Sequence, residues 1–319
     1  MPLSFSIFSR LTSLNIVNSY DNRKDPFEEA LAELLNGLEG MRELERLQIY
    51  FCNANEYFPV AEEPVRKHRS VTLAKLAYLE LNTSLREATM LISHLSLPAY
   101  AVTCYRLTVS AEDHPDRFFP RILASVQFHA NPAQISNTIT SLHVGTVEVL
   151  TRARPYYETV ITARTNAHTH EPAMTVQIFK HACPARVVFN ALASAHLREL
   201  TLDCDVIKDS TWPDLPALRR LVVKSAAVGS LCESLGRVPP VMPALEALVF
   251  VGVVISVSAR QRWAQGEGMR ELPRILAARA EAGCRLEELD VTRCIVDEEW
   301  VVRAKKKLFG TRVKWEKDA

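Results

Sequence analysis

One pattern of apolar positions returns along the chain: apolar, two variable, apolar, one variable, apolar. It stands as Leu11-Leu14-Ile16, Leu44-Leu47-Ile49 and Leu76-Leu79-Leu81. It loosens through Cys104-Leu107-Val109, Leu123-Val126-Phe128 and Ile139-Leu142-Val144. It sharpens again in Leu197-Leu200-Leu202, Leu218-Leu221-Val223, Leu245-Leu248-Phe250 and Leu286-Leu289-Val291. The last two apolar positions of each unit alternate with period two, as one face of a strand does. Each recurrence therefore predicts a short strand whose second and third apolar side chains enter a core.

The longer spacers carry helix signals. Asp25 and Pro26 supply an N-cap and a first helical residue, and Glu28 closes a capping-box-like pair. Phe27, Ala30, Leu31, Leu34, Leu35 and Leu38 then form one apolar face, with Gly37 and Gly40 as stops. Ser84-x-x-Glu87 opens a second helix with Leu85, Leu91, Ile92 and Leu95 inward, and a third runs from about Met269 to Ala282, with Leu272, Ile275 and Leu276 apolar and Gly283 ending it. Asp297, Glu298 and Glu299 open a last helix, Trp300, Val301, Ala304 and Leu308 form its stripe, and Arg303, Lys305, Lys306 and Lys307 close it before Gly310. That basic run complements the helix dipole, a better account of it than an import signal. Val313-x-Trp315 predicts a terminal strand covering the last edge, and Phe250 to Ile255 a buried strand and its exit.

Strand, loop, helix, strand is thus the unit, and a chain of such units stacks its strands into a mainly parallel sheet with helices on the outer face. Spacing is irregular, and between Val144 and Leu197 the repeat is hard to follow. Tyr157-Val160-Thr162 and Ala173-Val176-Ile178 are the expected strands there, and 165–172 (TNAHTHEP) is an expected loop. With no Pro-, Gly- or Ser-rich linker in view, residues 1–319 are expected to form a single α/β array.

Two units, LERLQIYFC (Leu44–Cys52) and LEELDVTRC (Leu286–Cys294), match L-x-x-L-x-L-x-x-N/C at every fixed position apart from Ile or Val for Leu. They resemble the core of the leucine-rich repeat, which implies a curved α/β solenoid. Cys52 and Cys294 would then be structural thiols at the bend leaving the strand. Ser19, Ser84, Asp205 and Ala226 stand at that position in other units. The segments MPALEALVFVGV and LPRILAARAEAGCRLEELDVTRCIVDEEW are also similar to the C-terminal repeats of fungal F-box/leucine-rich-repeat proteins. In that family an F-box docks on the adaptor of a cullin-type ubiquitin ligase, and the repeats recruit the substrate. Because the first unit here begins at Leu11, no F-box is seen, and adaptor binding is carried over to no residue.

Composition narrows the function. The 319 residues are 48% hydrophobic and 24% charged, which excludes wholesale disorder. Lys and Arg total 38 against 37 Asp and Glu, a net charge of +1, so a chain that binds nucleic acid through phosphate contacts is not expected. The longest apolar stretch, Ala247 to Ile255, is far short of the roughly 20 residues that span a bilayer, so no membrane partner is expected. The start, MPLSFSIFSR, has no basic residues ahead of its apolar ones and does not read as a signal peptide. Seven scattered cysteines with no C-x-x-C pair fit an intracellular, cytoplasmic or nuclear setting.

Chemistry-bearing motifs are few. His168-x-His170 with Glu171 is the one close histidine pair, and nothing nominates further ligands, so no metal is expected. No G-x-S-x-G frames a serine, H-E-x-x-H and the phosphate-loop motif are absent, and Gly266-x-Gly268 lacks a third glycine beside Glu267 and Glu271. No catalytic residue and no cofactor are therefore assigned. The rival is a doubly wound hydrolase or transferase.

If the leucines face the core, their neighbours face the open side of the sheet. Arg220, Val222 and Lys224 lie in one unit, and Ala247, Val249 and Val251 in the next, between Glu199, Thr201 and Asp203 on one side and Glu288, Asp290 and Thr292 on the other. An apolar centre at Val222 and Val249 inside charged rows is a protein-binding pattern. The expected function is a non-enzymatic protein-interaction scaffold, resembling the substrate-recognition repeats of an F-box protein. The alternative is a stand-alone repeat module without a ligase connection.

Overall fold

The computed structural model describes residues 9–18, 27–51, 70–98, 100–108, 122, 139–149, 156–165, 174–179, 196–203, 212, 214–224, 228–255 and 266–316. In chain order the elements are β1 (Ser13–Asn18), α1 (Phe27–Glu39), β2 (Arg46–Phe51), β3 (Val71–Thr72), β4 (Tyr78–Ser84), α2 (Leu85–Ser93), β5 (Leu95–Ser96), β6 (Val102–Thr108), β7 (Ile139–Val149), β8 (Tyr156–Thr165) and β9 (Met174–Phe179). They continue as β10 (Glu199–Asp203), β11 (Arg220–Lys224), α3 (Val228–Leu235), β12 (Ala247–Ile255), α4 (Gly266–Glu281), β13 (Glu288–Val296), α5 (Glu298–Lys307) and β14 (Arg312–Lys314). The fold is mixed α/β, with mainly parallel strands and few helices. It divides into two compact units, Met1–Thr138 with Glu148–His181, and Ile139–Val147 with Ala182–Ala319.

In the second unit the strands run β7-β10-β11-β12-β13-β14, all parallel. Their register aligns the repeated pattern residue for residue. Leu142, Leu200, Leu221, Leu248, Leu289 and Val313 form one row across the sheet. Val144, Leu202, Val223 and Phe250 form the next. Leu200, Leu202, Leu221, Val223, Leu248, Phe250, Leu289 and Val291 are all fully buried, as the pattern predicts. Each such side chain withdrawn from water is worth about 1.5–3 kcal/mol, which drives strand after strand to stack in the same register.

The first unit carries the order β1-β2-β4-β6-β9-β8, parallel except that β8 runs antiparallel to β9. Leu14, Leu47 and Leu79 share a row, and Ile16, Ile49 and Leu81 the next. β6 corrects the expected frame. Thr103 stands opposite Leu79 and Tyr105 opposite Leu81, so Cys104 leaves the core row and Leu107 falls opposite Thr83. A threonine and a tyrosine fill the leucine positions of this unit, so the apolar pattern picks out Leu107, four residues late. β9 has its expected phase, with Val176 opposite Tyr105 and Ile178 opposite Leu107. β8 is one residue out of its expected phase: Thr159, Ile161 and Ala163 are buried opposite Ile178, Val176 and Met174, rather than Val160 and Thr162. A slip of one residue turns every side chain to the other face.

The helices arise largely where their caps place them. Ser84 ends β4 and caps α2: its Oγ accepts from the Glu87 amide at 3.2 Å, and the Glu87 carboxylate accepts from the Ser84 amide at 3.1 Å. Leu85, Leu91, Ile92 and Leu95 are buried as expected. In α1, Leu31, Leu35 and Leu38 are buried, while Asp25 and Pro26 lie outside the described residues. α4 and α5 stop at Gly283 and Gly310, whose φ angles of 83° and 80° are reached cheaply only without a Cβ. Pro273 sits inside α4 and has no N–H for the carbonyl of Met269, four residues back. Trp300 of α5 takes that carbonyl instead, its indole N–H donating at 2.8 Å. One helix's missing bond thus fixes where the next one docks.

α3, β3 and β5 were not anticipated. Of the expected loop, Thr165 ends β8 and 166–172 lie outside the described residues, as do Leu123-Val126-Phe128, Val109, Ser19, Cys52, Asp205, Ala226 and the pair His168 and His170. Cys294 is half-buried inside β13, which continues to Val296, rather than at a bend leaving the strand.

Candidate functional site

The register that aligns the leucines also aligns what lies between them. On the open side of the second unit one row reads Thr201, Val222, Val249, Asp290 and Lys314, with Glu199, Arg220, Ala247, Glu288 and Arg312 before it. After it come Asp203, Lys224, Val251 and Arg293. The six residues singled out from the sequence therefore stand together on β11 and β12. Lys224 pairs with Asp203 across neighbouring strands at 2.8 Å, and Glu288 receives Lys314 at 2.8 Å. Asp290 accepts from the hydroxyl and amide of Thr292.

Exposure redraws the apolar centre. Val249 is only 8% exposed, flanked by Val222 and Asp290, while Ala247, Val222 and Val251 are half-buried. The accessible apolar surface lies further along the strands. Gly252, at φ 68°, and register shifts between β12 and β13 re-phase the strand, so that Val253 and Ile255 are core while Val254 and Ile295 meet as neighbours on the open side. Val254 is 36% exposed and Ile295 68%. A glycine within a β-prone run was the available signal for this bulge.

The first unit's open side has a different make-up. The register of β2, β4 and β6 lays out a three-by-three block: Arg46, Tyr78 and Val102; Gln48, Glu80 and Cys104; Tyr50, Asn82 and Arg106. Glu80 is the centre of that block, surrounded on all sides, and is only 5% exposed. Its Oε2 accepts from Gln48 at 2.8 Å and from the Tyr78 hydroxyl at 3.1 Å, and Arg106 Nε stands 3.5 Å from Oε1. The Arg46 guanidinium lies 4.6 Å from the Tyr78 ring centroid, a cation–π contact.

Burial alone would push the Glu80 carboxyl up, but the hydrogen bonds from Gln48, Tyr78 and Tyr50 and the charge of Arg106 together outweigh it. The group is held below the usual carboxylate range. Tyr78 is pushed up to about 12, by burial first and then by the charge of Glu80. The Cys104 thiol is likewise raised by burial and by Glu80, which moves it away from the reactive thiolate. Sequence reading missed this block because Gln, Glu and Tyr on alternate strand positions look like ordinary surface residues. Only the pairing of strands far apart in sequence brings them together.

Among the described residues no group of three His, Cys, Asp or Glu side chains could hold a metal ion, and no helix is long and apolar enough to cross a membrane. No family model matches the chain, and no curated protein is significantly similar to it.

Proposed function

We propose that the chain is a non-enzymatic protein-interaction scaffold, an array of leucine-rich-repeat-like units forming a curved solenoid, whose open sheet side captures a protein partner. The observation that supports this most is the asymmetry of the second unit's sheet. One side is a continuous buried leucine surface, whereas the other places Val254 and Ile295 side by side in solvent, next to ion-paired rows. Neighbouring exposed aliphatics within polar rows are the make-up of a partner site, because the centre supplies burial and the rim rejects mismatched partners. The resemblance to F-box proteins supplies the class of role: recruiting a substrate to a cullin-type ubiquitin ligase.

Ile295→Asp is the experiment. The side chain already lies in water, so the melting temperature should stay nearly unchanged. Capture of protein partners from native cells, read by affinity purification and mass spectrometry, should weaken relative to wild type. Equal capture by both proteins would place the partner surface elsewhere. Copurification of a cullin adaptor with the full gene product would support the ligase role, and its absence would favour a stand-alone binding module.

A further inference from the structure

The block around Glu80 uses no residue of the surface just proposed, and its chemistry points to a ligand of its own. We propose that the open face of β2, β4 and β6 is a second recognition site, for an extended acidic peptide whose anionic side chains engage Arg46 and Arg106. Three observations carry this. The negative charge of Glu80 is buried and spent on partners within the block, where Gln48 and Tyr78 donate to it and Arg106 balances it. Both guanidinia, by contrast, reach solvent: Arg46 is exposed and the Arg106 side chain is 46% exposed. Among the described residues of this three-by-three block, an approaching chain therefore meets two cations and no accessible carboxylate.

Both cations are also held in place before any ligand arrives. Arg106 is oriented through Nε by Glu80, and Arg46 by stacking on Tyr78. A guanidinium that is already ordered gives up less freedom when it grips a carboxylate or phosphate. Tyr50 and Tyr78 lie half-buried beside them, adding rigid amphipathic contact area of the kind interfaces favour.

Geometry sets the spacing of the ligand. Arg46 and Arg106 are two strands and four register positions apart. At about 4.8 Å between strands and about 3.3 Å per residue, the diagonal is roughly 16 Å. An extended peptide covers that in about five residues. Because alternate side chains of an extended chain face opposite sides, the site selects two acidic residues about four or six positions apart, both turned to the sheet. A basic segment would face the guanidinia and find both Glu80 oxygens already engaged.

The test uses the full-length chain and fluorescein-labelled peptides with two glutamates at that spacing, read by fluorescence anisotropy at low salt. Matching peptides carry two phosphoserines, two glutamines, or two adjacent glutamates. Wild type should bind the spaced glutamate or phosphoserine peptide, more weakly as salt rises, and the stronger of the two identifies the anion. Arg106→Gln and Arg46→Gln should each weaken binding about tenfold with circular dichroism unchanged, since removing one partner of a close charge pair has effects of that order. Arg106→Lys should recover only part of the loss, because it keeps the charge without the fork. Arg312→Gln, in the second unit, should bind as wild type does. Full binding by Arg106→Gln, equal binding of the glutamine peptide, or no binding at low salt would overturn the proposal. So would inorganic phosphate, or a single-stranded oligonucleotide of the same charge, binding as tightly as the spaced peptide. None of these results bears on Ile295, so this site and the one in the second unit can fail separately.

Discussion

The open sides of the two units differ more than their cores do. In the second unit, charges pair strand to strand as Asp203 with Lys224 and Glu288 with Lys314, and the exposed aliphatics Val254 and Ile295 lie beyond them. In the first unit, one buried carboxylate gathers a glutamine, a tyrosine and an arginine around itself. Behind both faces stand the same rows of Leu, Ile and Val. A core row must match the strand beside it in volume and polarity, so it repeats. An open row answers only to solvent and partner, so it is free to diverge. The two units also anchor their helices differently, by a cap at the end of a strand in one and by an indole bound to a proline-freed carbonyl in the other.

The largest effect tests the equivalence of the cores. Leu202→Ala and Leu81→Ala both remove a fully buried side chain from a stacked row. Each should lower stability by about 2–5 kcal/mol in chemical denaturation, through lost transfer energy and the cavity left behind. If one of them is nearly neutral, the two rows are not equivalent.

Next comes the anchor of α5. Trp300→Phe leaves the buried Met269 carbonyl without its donor, which should cost about 1–3 kcal/mol. In a Pro273→Ala background the new backbone N–H can take that carbonyl, so Trp300→Phe should cost less there. A double-mutant cycle showing no coupling would mean that Trp300 acts by packing alone.

The corresponding anchor of α2 is weaker. Ser84→Ala removes the cap and should cost about 0.5–2 kcal/mol in thermal or urea melts.

The smallest effect is confined to acid. Because the folded-state pKa of Glu80 lies below its unfolded value, its contribution to stability is present above about pH 4.3 and is lost as pH falls through the folded value. The stability gap between wild type and Glu80→Gln should therefore be widest near neutral pH and close on acidification. A gap that stays constant down to pH 3 would mean that the carboxylate is not preferentially stabilised in the folded chain.

Where leucine occupies the repeat, the fold was legible. Leu44-Leu47-Ile49, Leu76-Leu79-Leu81 and the four units from Leu197-Leu200-Leu202 to Leu286-Leu289-Val291 located strands, faces and register, because period-two alternation admits one inward choice. Ser84, Gly283 and Gly310 marked helix ends through local chemistry alone. Legibility failed where a core position is filled by another residue type, as at Thr103 and Tyr105, and where a strand reverses, as β8 does against β9.

What the chain determines by itself is thus the set of local decisions: which residues alternate, where helices begin, where glycine must stop them. The tertiary structure alone decided which residues from distant strands meet. Gln48, Glu80 and Cys104 are each separated by at least two dozen residues in sequence and become neighbours only when β2, β4 and β6 pair. Val254 and Ile295 reach the solvent side together only because Gly252 and the shifted register turn β12 against β13. Local propensity acts over a few residues, but a binding face is an agreement among strands, and only their packing can make it.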